Sequence, residues 1–102
     1  MAIPDLAMVE GFEWDDGNAL KSLVKHSVEQ AEVEQTFLNF PLLVLDDVKH
    51  SESEPRFHAY GKSLAGRLLQ VSFTLRASQG LIRVISARPM SRRERLRYAE
   101  EV

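Results

Sequence analysis

Arg67-Leu68-Leu69-Gln70-Val71-Ser72-Phe73-Thr74-Leu75-Arg76 is the stretch on which the fold turns. Leu69, Val71, Phe73 and Leu75 alternate with Gln70, Ser72, Thr74 and Arg76. That is the period of a strand with one face on a core and the other toward solvent. Ala77-Ser78-Gln79-Gly80 has the length of a hairpin loop. Leu81 to Ala87 is then a β-branched strand, ended by Pro89. On the other side, Arg56 to Lys62 also alternates, with Phe57 and Ala59 opposite Arg56, His58 and Tyr60. Gly61 to Gly66 reads as a turn. Leu42-Leu43-Val44-Leu45 is a buried strand, followed by a polar loop from Asp46 to Pro55. Short loops between alternating strands predict an antiparallel meander.

The flanks are helical. Phe12-Glu13-Trp14 is a brief strand, and Asp15-Asp16-Gly17-Asn18 supplies small polar helix caps. A first helix runs to about His26, with Leu20, Leu23 and Val24 on one face. Ser27 and Gln30 have capping-box spacing and open a second helix. Its apolar stripe is Val33, Phe37 and Phe40, and Pro41 stops it. Ser91-Arg92-Arg93-Glu94 is another capping box, starting a helix toward the C-terminus. The expected class is α+β: two N-terminal helices packed on a small antiparallel β-sheet meander, plus a C-terminal helix. Residues 1–11 read as an N-terminal extension and 12–102 as a single domain.

A chain of 102 residues has room for one core. It has no cysteine, which excludes disulfides, thiolate zinc sites and a cysteine nucleophile. No apolar run approaches the roughly 18 residues of a membrane span, and the N-terminus lacks a signal pattern. A soluble cytoplasmic protein is the expectation, with no membrane partner.

The net charge of −2 hides a division. Residues 1–55 hold three basic and twelve acidic side chains, whereas residues 56–102 hold ten basic and three acidic ones. Such a split either neutralises itself in the fold or marks a polyanion-binding half. Arg56, Arg67, Arg76, Arg83 and Arg88 lie in or near strands, and Arg92, Arg93, Arg95 and Arg97 line the last helix. Guanidinium groups bind phosphate bidentately at any working pH. Together with Tyr60, Trp14 or Tyr98 they suit a single-stranded nucleic acid. Arg83 stands out because Ile82 and Val84 flank it. Its alternative role is a structural ion pair with an N-terminal acid.

His26, His50 and His58 are scattered without metal-ligand spacing, and no phosphate-binding glycine loop is present, so neither metal nor cofactor is expected. His50 falls in a loop and His58 in a strand. Lys25-His26 closes the first helix, and His26 can exchange protons near neutral pH. RNA brings its own nucleophile, the 2′-hydroxyl. Arginines can neutralise the phosphate while a lysine or histidine moves the protons, so this inventory permits a metal-independent ribonuclease. A non-catalytic module that holds nucleic acid or an acidic protein segment is the alternative.

Phe12-Glu13-Trp14-Asp15, Asn18, Lys25-His26, Arg56-Phe57, Gly61, Ile82-Arg83-Val84-Ile85-Ser86-Ala87-Arg88, Arg92-Arg93-Glu94-Arg95 and Tyr98, in this order and spacing, resemble the BrnT family. These are toxins of type II toxin–antitoxin systems. The resemblance covers residues 12–100 and implies a RelE-like fold and an endoribonuclease that cuts RNA and blocks translation. It further implies a cognate BrnA-type antitoxin, with operator DNA contacted only through the antitoxin complex. By the same resemblance Lys25, His26, Arg56, Arg83 and Arg88 are candidate catalytic residues, followed by Glu94, Arg95 and Tyr98. Arg67, Arg76, Arg92, Arg95, Tyr60 and Tyr98 are the candidate RNA-binding residues. Two departures are visible. Ser27 stands where the family usually has glycine, so a different turn is expected there, and the segment before Phe12 is longer than expected.

Overall fold

The computed structural model describes residues 6–18, 26–50, 54–76, 78 and 80–102. In chain order these form β1 (Gly11–Glu13), α1 (Gln30–Leu38), β2 (Leu43–Asp46), β3 (Phe57–Lys62), β4 (Leu68–Arg76), β5 (Leu81–Pro89) and α2 (Arg92–Glu101), with short 3-10 turns at Leu6–Met8 and Val48–His50. The class is α+β. One five-stranded sheet has the order β1-β5-β4-β3-β2.

The meander from β2 to β5 is antiparallel throughout. The sheet as a whole is mixed, which corrects the purely antiparallel expectation. β1 lies parallel to β5, Phe12 opposite Ile82 and Glu13 opposite Arg83. A parallel neighbour needs a long crossover, and here most of the chain lies between the two strands. The β1 ladder continues beyond its last residue through Asn18. Its buried amide donates to the carbonyls of Glu13 at 3.0 Å and Val84 at 2.8 Å, and accepts from the Asp15 N–H at 2.8 Å.

Among the described residues one helix, not two, precedes the meander; the other expected helix, with Lys25, falls on residues 19–25, outside them. α1 starts at Gln30, with Glu29 at its N-cap and no side-chain cap, so the expected Ser27 capping box is absent. Ser27 instead has φ of 55°, the left-handed conformation that glycine adopts without penalty. α1 ends at Leu38, before Pro41. The residue preceding a proline avoids helical backbone, and the Asn39 side chain leaves the helix to donate to the Lys62 carbonyl at 2.9 Å. Phe40, expected on the buried stripe, is therefore 80% exposed, whereas Val33 and Phe37 are buried.

The core lies between α1 and one sheet face. Phe73 is fully buried, with Phe37 edge-on at 5.1 Å and Phe57 at 5.5 Å between ring centroids. Val28, Val33, Ala59, Leu69, Val71, Ile82, Val84 and Ala87 complete it. Gly61 sits within β3 rather than in the expected turn. A Cβ there would meet Thr36 Cγ2 at 3.0 Å, so glycine lets α1 pack directly on the strand. Of the expected extension, Leu6 and Val9 pack on the core, and the Glu10 N–H donates to the Gly80 carbonyl at 2.7 Å.

β5 carries a bulge. Ser72 pairs with Ser86 and Phe73 with Val84, leaving Ile85 as the extra residue. Ile82 and Val84 are buried before it and Ala87 after it. The alternation thus changes phase, and Arg83 and Arg88 both leave the core side of the sheet. Five positions apart, they would face opposite sides of an unbroken strand.

Candidate functional site

The sheet face away from α1 carries three cross-strand ranks. Tyr60, Gln70 and Arg88 are in register, as are His58, Ser72 and Ser86. Beyond them Thr74 pairs with Arg83, and both line a cleft of about 190 Å³ with Arg56, Arg76 and Glu54. Gln70 and Thr74 are buried rather than solvated, because β4 is central and flanking side chains cover it. The Thr74 hydroxyl donates to the Pro55 carbonyl at 2.7 Å.

Carboxylates occupy the arginines. Arg83 Nη1 lies 2.8 Å from Glu13 Oε1 and 2.9 Å from Asp15 Oδ2, and Nη2 lies 3.2 Å from Asp15 Oδ1. The Asp15–Asn18 turn aims this carboxylate: the Gly17 N–H donates to Asp15 Oδ1 at 2.8 Å. Arg83 and the Gly17 N–H hold the Asp15 carboxyl below its ordinary value, and Asp15 and Glu13 in turn raise Arg83. Arg76 Nη2 reaches Glu54 at 3.1 Å. Arg88 makes a bidentate pair with Glu94, 2.8 and 2.9 Å. Glu94 also closes the α2 capping box with Ser91. Its pKa is lowered, first by Arg88 and then, against burial, by the Ser91 N–H. Arg83 thus makes the ion pair with N-terminal acids that was the alternative to phosphate binding, while its side chain lines the cleft.

α2 borders the same face. Tyr60, Leu43, Arg93, Glu94, Arg97 and Tyr98 surround a second cleft of about 210 Å³. Burial, and then the Glu94 charge, raise the Tyr60 phenol above its ordinary value. Tyr98 is buried, and its hydroxyl donates to the Pro41 carbonyl, which engages the ring in packing. Trp14 is likewise engaged, donating from Nε1 to Glu34 at 2.7 Å.

The structure thus brings together Arg56, Arg76, Arg83, Arg88 and Tyr60. Glu94 and Tyr98 join them at the second cleft, whereas Arg67, Arg92, Arg95 and the His26 backbone lie elsewhere. Arg67 turns to α1, where Nη1 meets Glu32 at 2.8 Å and the Ser27 carbonyl at 3.0 Å, and Nη2 meets the His26 carbonyl at 3.4 Å. From Arg67 to Thr74, the partner of Arg83, β4 extends about 23 Å at roughly 3.3 Å per residue, so the His26 backbone stands at the far end of the sheet. Arg95 donates to the Met90 carbonyl at 3.0 Å, and Arg92 lies on the exposed side of α2 with Arg93, Leu96 and Arg97. Lys25 lies outside the described residues.

Sequence reasoning weighed His58 without choosing it as a site residue and passed over Asp47. A readable signal existed for His58, which holds the outward position between Arg56 and Tyr60. Asp47 had none, since only the pairing of β2 with β3 brings it there. Among the described residues no group of three or more histidines or carboxylates could hold a metal ion. No helix among them is long and apolar enough to cross a membrane.

A family model described as a ribonuclease toxin, BrnT, of type II toxin–antitoxin systems matches residues 14–94. No curated protein matches the chain.

Proposed function

Because the chain belongs to the BrnT family of ribonuclease toxins of type II toxin–antitoxin systems, we propose that it is a metal-independent endoribonuclease acting in the cytoplasm. It cuts RNA by internal attack of the 2′-hydroxyl and so blocks translation. The strand lies along the outward sheet face. Arg83 and Arg56 clamp the scissile phosphate and neutralise its equatorial oxygens as charge builds, with Arg88 supporting from the rank of Tyr60 and Gln70. Glu13, Asp15 and Glu94 hold these guanidinium groups in place until a phosphate displaces them. A cognate BrnA-type antitoxin covers the same face, and operator DNA is contacted only through that complex.

The observation that carries this reading is the convergence of Arg56, Arg76 and Arg83 on one cleft, with Arg88 returned to the same face by the β5 bulge. The test is incubation of the pure protein with RNA in EDTA. Cleavage leaving 2′,3′-cyclic phosphate ends is expected, and Arg83→Ala lowers the rate at least about 100-fold, the usual effect of removing one preorganised charge-stabilising donor. A requirement for a divalent metal, or an unchanged rate in a folded Arg83→Ala variant, refutes it.

One observation favours a second reading, a non-catalytic binding module. Arg76, Arg83 and Arg88 are already paired with carboxylates, as an acidic protein segment would pair with them. Tight RNA binding with no cutting is its signature.

A further inference from the structure

His58 sits in the middle rank of the outward face, and its ring is held from both ends. Nε2 lies 3.3 Å from Asp47 Oδ2. Nδ1 lies 2.9 Å from Ser72 Oγ and 2.6 Å from Gln70 Nε2. With the Gln70 amide donating, Nδ1 is an acceptor. The proton of the neutral imidazole then belongs on Nε2, where it is donated to Asp47.

Asp47 is nine-tenths buried, whereas a quarter of the His58 side chain is exposed. The Asp47 N–H donates to the Arg56 carbonyl at 2.9 Å, so β2 and β3 stay clamped one step past the Asp46–Phe57 pair. A shielded carboxylate behind an accessible imidazole fixes its tautomer and stabilises the imidazolium formed when it takes a proton. The Nδ1 side, where Ser72 and the Gln70 amide meet the ring, lies between the Arg56–Arg83 rank and the Arg88 rank. A phosphate held by those arginines would carry its ribose across this position.

We infer that His58 is the proton-transfer residue of this face and that Asp47 is its positioning residue. The inference rests on the ribonuclease reading above and adds the group that reading lacks. Nδ1 takes the 2′-hydroxyl proton in place of the hydrogen bonds it accepts from the Gln70 amide and Ser72. The 2′-oxygen bonds to phosphorus, the bond from phosphorus to the 5′-oxygen breaks, and the departing oxygen takes a proton from water. A 2′,3′-cyclic phosphate and a 5′-hydroxyl result, and the imidazolium returns its proton to solvent.

The experiment compares the full chain with His58→Gln, His58→Ala and Asp47→Asn on one RNA in EDTA, reading kcat and KM separately. His58→Gln retains hydrogen-bonding groups for its neighbours and guards against loss of fold. Expected is a fall in kcat of at least about 100-fold for both His58 variants, within the usual range for a general base, with KM little changed. Asp47→Asn lowers kcat with the same unchanged KM. Added imidazole restores part of the His58→Ala activity and none of the Asp47→Asn loss. A wild-type kcat in His58→Gln, or a loss carried by KM alone, overturns the inference and leaves the ribonuclease standing. Absence of cutting by the wild-type chain overturns the ribonuclease reading and this one with it.

Discussion

Replacing Ser27 with glycine stabilises this protein. Ser27 has φ of 55°, and two successive carbonyls at the turn, His26 and Ser27, accept from Arg67. Arg67 is in turn held by Glu32 of α1 at 2.8 Å. The backbone there is fixed by its partners and cannot relax by rotating. A side chain in this conformation costs about 1–2 kcal/mol through contact of Cβ with the following carbonyl. Glycine removes that cost and adds about 0.5–1 kcal/mol of backbone entropy lost on folding. The net gain is about 0.5–1 kcal/mol, or a rise in Tm of about 3–6 °C for a domain of this size. Thermal melts followed by circular dichroism measure it, with Ser27→Ala as the control that keeps Cβ. An unchanged or lower Tm for the glycine variant, or an equal rise for the alanine variant, refutes the strain argument.

Glu94→Gln flattens the acid arm of stability against pH. The Glu94 pKa is lowered in the fold from its ordinary value of 4.5. Its contribution is therefore complete above that value and lost as pH falls through the folded pKa; urea midpoints between pH 6 and pH 3 show the difference. Glu13→Gln combined with Asp15→Asn removes the carboxylates that compete for Arg83, so RNA binds severalfold tighter at low salt in fluorescence polarisation. Phe73→Ala empties the centre of the aromatic cluster at a cost of about 3–5 kcal/mol. Since small domains hold only about 5–15 kcal/mol in all, a sharply lower urea midpoint is expected.

Much of the architecture was readable along the chain because it is local. Alternation marked β3 and β4, β-branched residues marked β5, the serine–glutamate spacing marked the α2 cap, and the order of motifs carried the family resemblance. The arginines of the site were visible as a charge imbalance between halves. Their arrangement was not. Linear spacing sets Arg83 and Arg88 on opposite faces of a regular strand, and one extra residue in β5 reverses that. The resemblance also named Lys25 and His26 as candidate catalytic residues; Lys25 lies outside the described residues, and the His26 backbone stands at the other end of β4 from Arg83.

The sequence by itself determined where β2 to β5 and the capped helix α2 lie, which half is basic and which family the chain resembles, since each depends on residues near one another in the chain. Only the tertiary structure decided that β1 joins in parallel, that Glu13 and Asp15 meet Arg83, and that Asp47 stands behind His58. Those contacts join residues from 11 to 70 positions apart. They follow from strand pairing and from the bulge, and neither leaves a periodic trace in the residues it brings together.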